Sequence, residues 1–113
     1  MAPEESHQPL FSLAVTAGDD GRTTVSPAGE LDLSAADAFA AAVHDALVAG
    51  AVFIDLSEVT FMDSAGVRAL NTALREAAQH GHELRVGAQM HDPVVQVLEL
   101  TGMLGLLPVD GRS

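Results

Sequence analysis

The sequence predicts one α/β domain, a mixed sheet that opens with an antiparallel hairpin and continues in parallel strands joined by helices. Three observations predict it. Two short alternating runs flank an Asp-Asp-Gly turn near the start, as in a hairpin. The run from Ala51 to Leu56 is almost wholly apolar, as a strand covered on both faces should be. Stretches of helical period separate the later strand-like runs, and glycine follows each of them.

Taken in order, Met1 to Pro9 is polar with two prolines and reads as a flexible N-terminal tail over residues 1–9. Phe11, Leu13 and Val15 alternate with small or polar residues, "AGDDGR" supplies a turn, and Thr23 to Ala28 completes the hairpin. Pro27 cannot donate to a ladder, which marks an edge, a bulge or a strand end. Ser34 with Asp37 three residues on resembles a capping box and opens a helix striped by Phe39, Val43 and Leu47, with Gly50 as its stop. After the strand Ala51 to Leu56, a loop "EVTFMDSAG" leads into a second helix with Val67, Leu70, Leu74 and Ala77 on one stripe, ended by Gly81. Leu84 and Val86 mark another strand. Asp92-Pro93 forms a cap and first turn, Val94 to Thr101 a third helix, and Gly102 its stop. The domain is expected over residues 10–109, with a C-terminal tail at 110–113.

Composition narrows the function. The formal charge is −11, from 5 Lys plus Arg against 16 Asp plus Glu, so the surface repels phosphate backbones. With four Phe and no Trp or Tyr there are few rings on which bases could stack. No nucleic-acid partner is expected; a protein with a basic patch suits such a surface, although simple solubility explains the same charge. No apolar run reaches the ~18 residues that cross a bilayer, and the start carries no basic, apolar signal segment. The chain is therefore expected to be cytoplasmic, without membrane insertion. It has no cysteine, which removes disulfides and thiolate metal sites.

The stretch Asp63-Ser64-Ala65-Gly66 stands where a strand becomes a helix, and three readings are open there: a plain cap, an enzyme nucleophile, or a serine presented to another protein. With Asp63 as cap, Ser64 falls at the first helical position with its hydroxyl outward, between small neighbours. Parallel crossovers bring the loop "GELDLS" to the same end of the sheet, where partners of open α/β sheets dock, so Glu30, Asp32 and Ser64 are expected on one surface. A phosphate on Ser64 would face the positive end of the helix, with Arg68 one turn on. Catalysis is not expected. The local M-D-S-A-G is not the G-x-S-x-G elbow of hydrolases, no histidine is placed to activate Ser64, and neither G-x-x-x-x-G-K-S/T nor G-x-G-x-x-G occurs. His80-Gly81-His82 lacks carboxylate partners at ligand spacing, so no metal and no cofactor are assigned.

Four segments, "GELDLS", "DLSEVTFMDSAGVRAL", "HGHELRVGA" and "VVQVLELTGML", resemble in order and spacing the STAS domain, and more narrowly the bacterial anti-sigma-factor antagonists. The resemblance covers residues 10–109. It implies a partner switch: the unphosphorylated protein binds an anti-sigma factor that is also an ATP-dependent serine kinase, which frees a sigma factor, and phosphorylation of the serine after the motif's aspartate releases it. That serine falls on Ser64, and the family's acidic contact falls on Asp32. The expected contact set is Glu30, Asp32, Asp63, Ser64, Ala65, Gly66 and Arg68, in a monomer or weak dimer. A metal-dependent serine phosphatase resets such switches, and ATP and metal belong to the partners. Ala65 departs from the frequent D-S-S-G and leaves Ser64 the motif's single serine; Arg68 stands where several members carry glycine. Many members end in a further helix, so Met103 to Leu107 either pack back on the core or form a contact surface. The alternative is a STAS domain without a phosphorylation switch, a small-molecule sensor or an accessory subunit of a membrane transport assembly.

Overall fold

In the computed structural model, residues 10–110 are described; the N-terminal tail expected at 1–9 and residues 111–113 lie outside them. The elements run β1 (Phe11–Ala17), β2 (Thr23–Leu31), α1 (Leu33–Ala49), β3 (Val52–Ile54), β4 (Glu58–Met62), α2 (Ser64–His80), β5 (Leu84–Gly87), α3 (Asp92–Leu100) and β6 (Val109–Asp110). The sheet order is β1-β2-β3-β5-β6, with β4 also on β2; β1 pairs antiparallel and the other ladders are parallel. The mixed sheet with its N-terminal hairpin is as the patterning predicts.

Apolar periodicity builds the core. Phe39, Val43 and Leu47 of α1 are buried together with Val25, Leu31, Val52, Ile54 and Leu56 of the strands and the segment after β3. Along α2 the buried face is narrower and smaller: Ala65, Gly66, Ala69, Leu70, Ala73 and Ala77, while Val67 and Leu74 of the expected stripe are half-buried. α1 and α2 pack side by side, and α3 packs on β4 through a face that buries Val94 and Leu98. Met103 and Leu107 turn back into the core, and the chain closes β6 on β5, Asp110 standing opposite Gly87.

Four local expectations are corrected. The segment read as a loop after Leu56 contains β4, parallel to the far half of β2. An Asx turn, in which Asp55 Oδ1 accepts from the Ser57 N–H at 3.0 Å, separates it from β3. Pro27 is buried in a central strand, not at an edge: β2 pairs with β3 up to Val25 and with β4 from Ala28, so nothing on that side stands opposite the missing N–H. The cap of α1 is Asp32, not Ser34, and Asp37 makes no capping bond. The cap position of α3 is His91, without a side-chain bond, so Asp92-Pro93 is already helical.

Candidate functional site

β2 and β4 end together. Glu30 registers with Phe61 and Leu31 with Met62, so the next residues of each strand, Asp32 and Asp63, leave the sheet as neighbours, about 5 Å being the spacing of paired strands. Each is the N-cap of the following helix, with nearly the same backbone: φ −112°, ψ −169° at Asp32 and φ −111°, ψ −169° at Asp63. The two helix starts are thus twin structures on one edge of the fold.

Their serines differ in one respect that matters for chemistry. In α1 the serine lies two residues after its cap, and Asp32 Oδ1 accepts from both the Ser34 backbone N–H (3.0 Å) and the Ser34 hydroxyl (2.7 Å). That hydroxyl bond, with help from the Ser34 and Ala35 backbone N–H groups and against a smaller desolvation, holds the Asp32 carboxyl below its ordinary value. In α2 the serine directly follows its cap. Asp63 Oδ1 accepts from the Ala65 and Gly66 N–H groups (2.9 and 3.4 Å), which satisfies the first orphan donors of the helix without Ser64. The Ser64 side chain is exposed and makes no hydrogen bond to any described residue. A capping role for Ser64 is therefore already taken by Asp63.

A bulge shapes the ground beside it. The β2–β4 register steps from Gly29↔Val59 to Glu30↔Phe61, leaving Thr60 unpaired. This extra residue breaks the alternation, so Val59 and Met62 point inward while Phe61 is turned out, 46 % exposed. Leu33, at the first position of α1, is 73 % exposed. Two large apolar side chains, next in sequence to the edge's acidic residues or paired with them, are thus exposed. The candidate set taken from the sequence missed both; the only signal was that "TFM" cannot keep a period of two with both Val59 and Met62 buried.

The expected site residues divide by burial. Ser64 and Arg68 are exposed, and Glu30, Asp32 and Asp63 are partly so. Ala65 and Gly66, also in the expected contact set, are buried at the start of the helix. A Cβ on Gly66 would lie 2.7 Å from the Leu31 carbonyl oxygen and 2.7 Å from Met62 Cγ, so glycine is what lets α2 start against the end of β2. Gly29, at φ +95°, has the corresponding role toward β1, where a Cβ would meet the Leu10 carbonyl at 2.1 Å. Between the helices runs an open furrow of about 170 Å³, lined by Leu33, Asp37, Ala40, Ala65, Arg68 and Thr72 among others.

Elsewhere, His44 pairs with Glu76 at 3.2 Å and His82 Nδ1 meets the Leu47 carbonyl, at the end of the helices away from Ser64. Among the described residues no group of three or more His, Asp or Glu is placed to hold a metal ion, and no helix is long and apolar enough to cross a membrane.

These features define the class. The STAS domain family model matches residues 14–111, and the chain belongs to that family. Among solved structures, it is similar to an anti-sigma factor antagonist from Mycobacterium paratuberculosis: 25 % identity, TM-score 0.77, covering 90 % of this chain and 86 % of that one. The fold is shared with the anti-sigma factor antagonist SpoIIAA in its unphosphorylated form, at 17 % identity and TM-score 0.74, covering 90 % and 89 % of the two chains. It is shared also with the phosphorylated form of Bacillus SpoIIAA, at 16 % identity and TM-score 0.68, covering 90 % and 92 %. No curated protein matches in sequence.

Proposed function

We propose that this protein is an anti-sigma-factor antagonist that binds an anti-sigma factor with serine kinase activity and is switched off by phosphorylation of Ser64. The observation that carries this reading is the free, exposed hydroxyl of Ser64 beside Asp32, Leu33 and Phe61 on one edge. Apolar anchors ringed by partly exposed acids are what a protein interface uses, and the net charge of −11 steers it toward a basic partner. Family membership and the likeness to the mycobacterial antagonist support the role.

In the modification step the Ser64 oxygen bonds to the γ-phosphorus of ATP, the bond from that phosphorus to the β–γ bridging oxygen breaks, ADP leaves, and the hydroxyl proton passes to a base on the kinase. Nothing in this chain needs to act as catalyst, and we read it as a binding module, not an enzyme. Asp63 keeps its capping bonds throughout, so the fold survives the modification. The phosphoryl group brings close to two negative charges to an edge that already carries Glu30, Asp32 and Asp63. Like charges and unpaired polar groups in an interface cost several kcal/mol. A serine phosphatase restores the hydroxyl.

The reading without a switch has less support. The furrow beside Ser64 is smaller than the roughly 300 to 1,000 Å³ of small-molecule sites. The larger depression, of about 370 Å³ at Ser57, Glu58, Gln89, Met90 and His91, is shallow and open to solvent. Capture from a lysate of the source organism separates the readings. Wild type and Ser64→Ala are expected to retain a kinase-like anti-sigma factor that Ser64→Asp loses; retention of the same proteins by all three, or of none, would sink the switch.

A further inference from the structure

We infer that Arg68 is the residue that holds the phosphoryl group once it is on Ser64, pairing with it across one helical turn. This rests on the reading of Ser64 as the modified residue. Ser64 and Arg68 lie four apart on α2, on one face and about 6 Å apart at their Cβ atoms. Side chains on a helix lean toward its N-terminus, so a long side chain at the second turn covers the first. Arg68 therefore lies along the side of the helix that carries the Ser64 hydroxyl, whereas a residue before Ser64 would lean away from it.

Arg68 is also uncommitted. It is exposed, at the rim of the furrow between α1 and α2, and no carboxylate pairs with it among the described residues, whose ion pairs are His44–Glu76 and those of Arg85 with Glu83 and Asp110. Asp37 lines the other wall of the furrow without closing a pair. Among the described residues no other arginine is so placed: Arg75 sits two turns further along, with its Nη2 donating to Thr72 Oγ1 at 3.5 Å, Arg22 lies over Phe53, and Arg85 is on β5. A guanidinium meets a phosphate through two parallel N–H donors, a stronger arrangement than a single contact.

The consequence is directional. Glu30 and Asp32 at the end of β2, Asp37 on α1 and Asp63 next in sequence all disfavour a second negative charge on the phosphate. Arg68 and the positive end of the helix favour it, and Arg68 is the side chain that does so. Arg68 thus favours the dianion and binds the phosphate to its own helix.

The test installs phosphoserine at position 64 by genetic encoding, so that it needs neither kinase nor partner, and follows the second ionisation of the phosphate by 31P NMR. The midpoint is expected to rise by about half a pH unit in Arg68→Ala, the size of an exposed charge pair, and to recover partly in Arg68→Lys. Arg75→Ala should leave it unmoved. Equal midpoints in wild type and Arg68→Ala, or an equal displacement in Arg75→Ala, would overturn the assignment. If phosphoserine 64 fails to release the partner while Arg68 still sets the midpoint, the switch fails and the pairing stands.

Discussion

Gly66→Ala tests how closely the position of Ser64 depends on a single backbone contact. The added methyl would lie 2.7 Å from the Leu31 carbonyl oxygen and 2.7 Å from Met62 Cγ, about 0.7 Å inside ordinary contact with backbone that cannot rotate away. Overpacking of this kind costs about 1 to 3 kcal/mol. Replacing glycine by alanine inside a helix returns up to about 1 kcal/mol. Because the nearest obstacle is a carbonyl of the central strand, the clash wins, and a net loss of about 1 to 2 kcal/mol is expected. Urea unfolding followed by far-UV circular dichroism measures it, as a lower midpoint at unchanged slope. The start of α2 should also be pushed off β2, seen as amide shift changes concentrated at Leu31, Met62 and residues 63 to 67. Ala65→Gly, which adds no atom, should instead lose helix propensity and one buried methyl and leave those shifts in place. A Gly66→Ala protein as stable as wild type, or more stable, would refute the packing argument.

Other outcomes follow from the same geometry. Asp63→Ala removes the acceptor of two N–H groups and should cost about 1 kcal/mol in the same unfolding assay, whereas Ser64→Ala, whose hydroxyl is unbonded, should stay within about 0.5 kcal/mol of wild type. Ser34→Ala removes the bond that does most to depress the Asp32 carboxyl, so the Asp32 midpoint, read from carboxyl shifts in an NMR titration, should rise toward the ordinary aspartate value. Because the folded value is the lower one, Asp32 contributes stability above the unfolded-state value and loses it as pH falls through the folded one; the Ser34→Ala protein should lose less on acidification. Leu33→Ala and Phe61→Ala, both exposed, should leave the unfolding midpoint nearly unchanged yet weaken partner binding by more than about 1 kcal/mol each in calorimetric titration.

The elements that sequence patterning located best were those with a long, regular period. Phe39, Val43 and Leu47 announce α1, and the alternation of Phe11, Leu13 and Val15 announces β1, because a helix or a half-buried strand must repeat its apolar face. The strand β4 escaped for the complementary reason. Thr60 is an extra residue that shifts the inward positions from Val59 to Met62, and a five-residue strand with one bulge has no period to detect. Pro27 was legible only as an edge, a bulge or a strand end, because the sequence shows the missing donor and not the pause between β3 and β4 that accommodates it. The site was partly legible: glycine, small residue, serine and acid at a strand-to-helix junction point to an exposed hydroxyl. What local sequence could not show was that Asp32, not Ser34, caps α1, nor that Leu33 and Phe61 are exposed. Those depend on the β2–β4 register, a contact between segments about thirty residues apart.

The central claim is that a phosphate on Ser64 abolishes a binding event that the free hydroxyl permits. Its most direct measurement is the affinity of the captured partner for the unmodified protein and for the protein carrying genetically encoded phosphoserine at position 64, titrated side by side in one buffer. A loss of about 2.7 kcal/mol, roughly 100-fold in Kd, is the expected result. Affinities within about threefold of each other would contradict the claim and leave Ser64 an exposed residue beside an Asp63-capped helix.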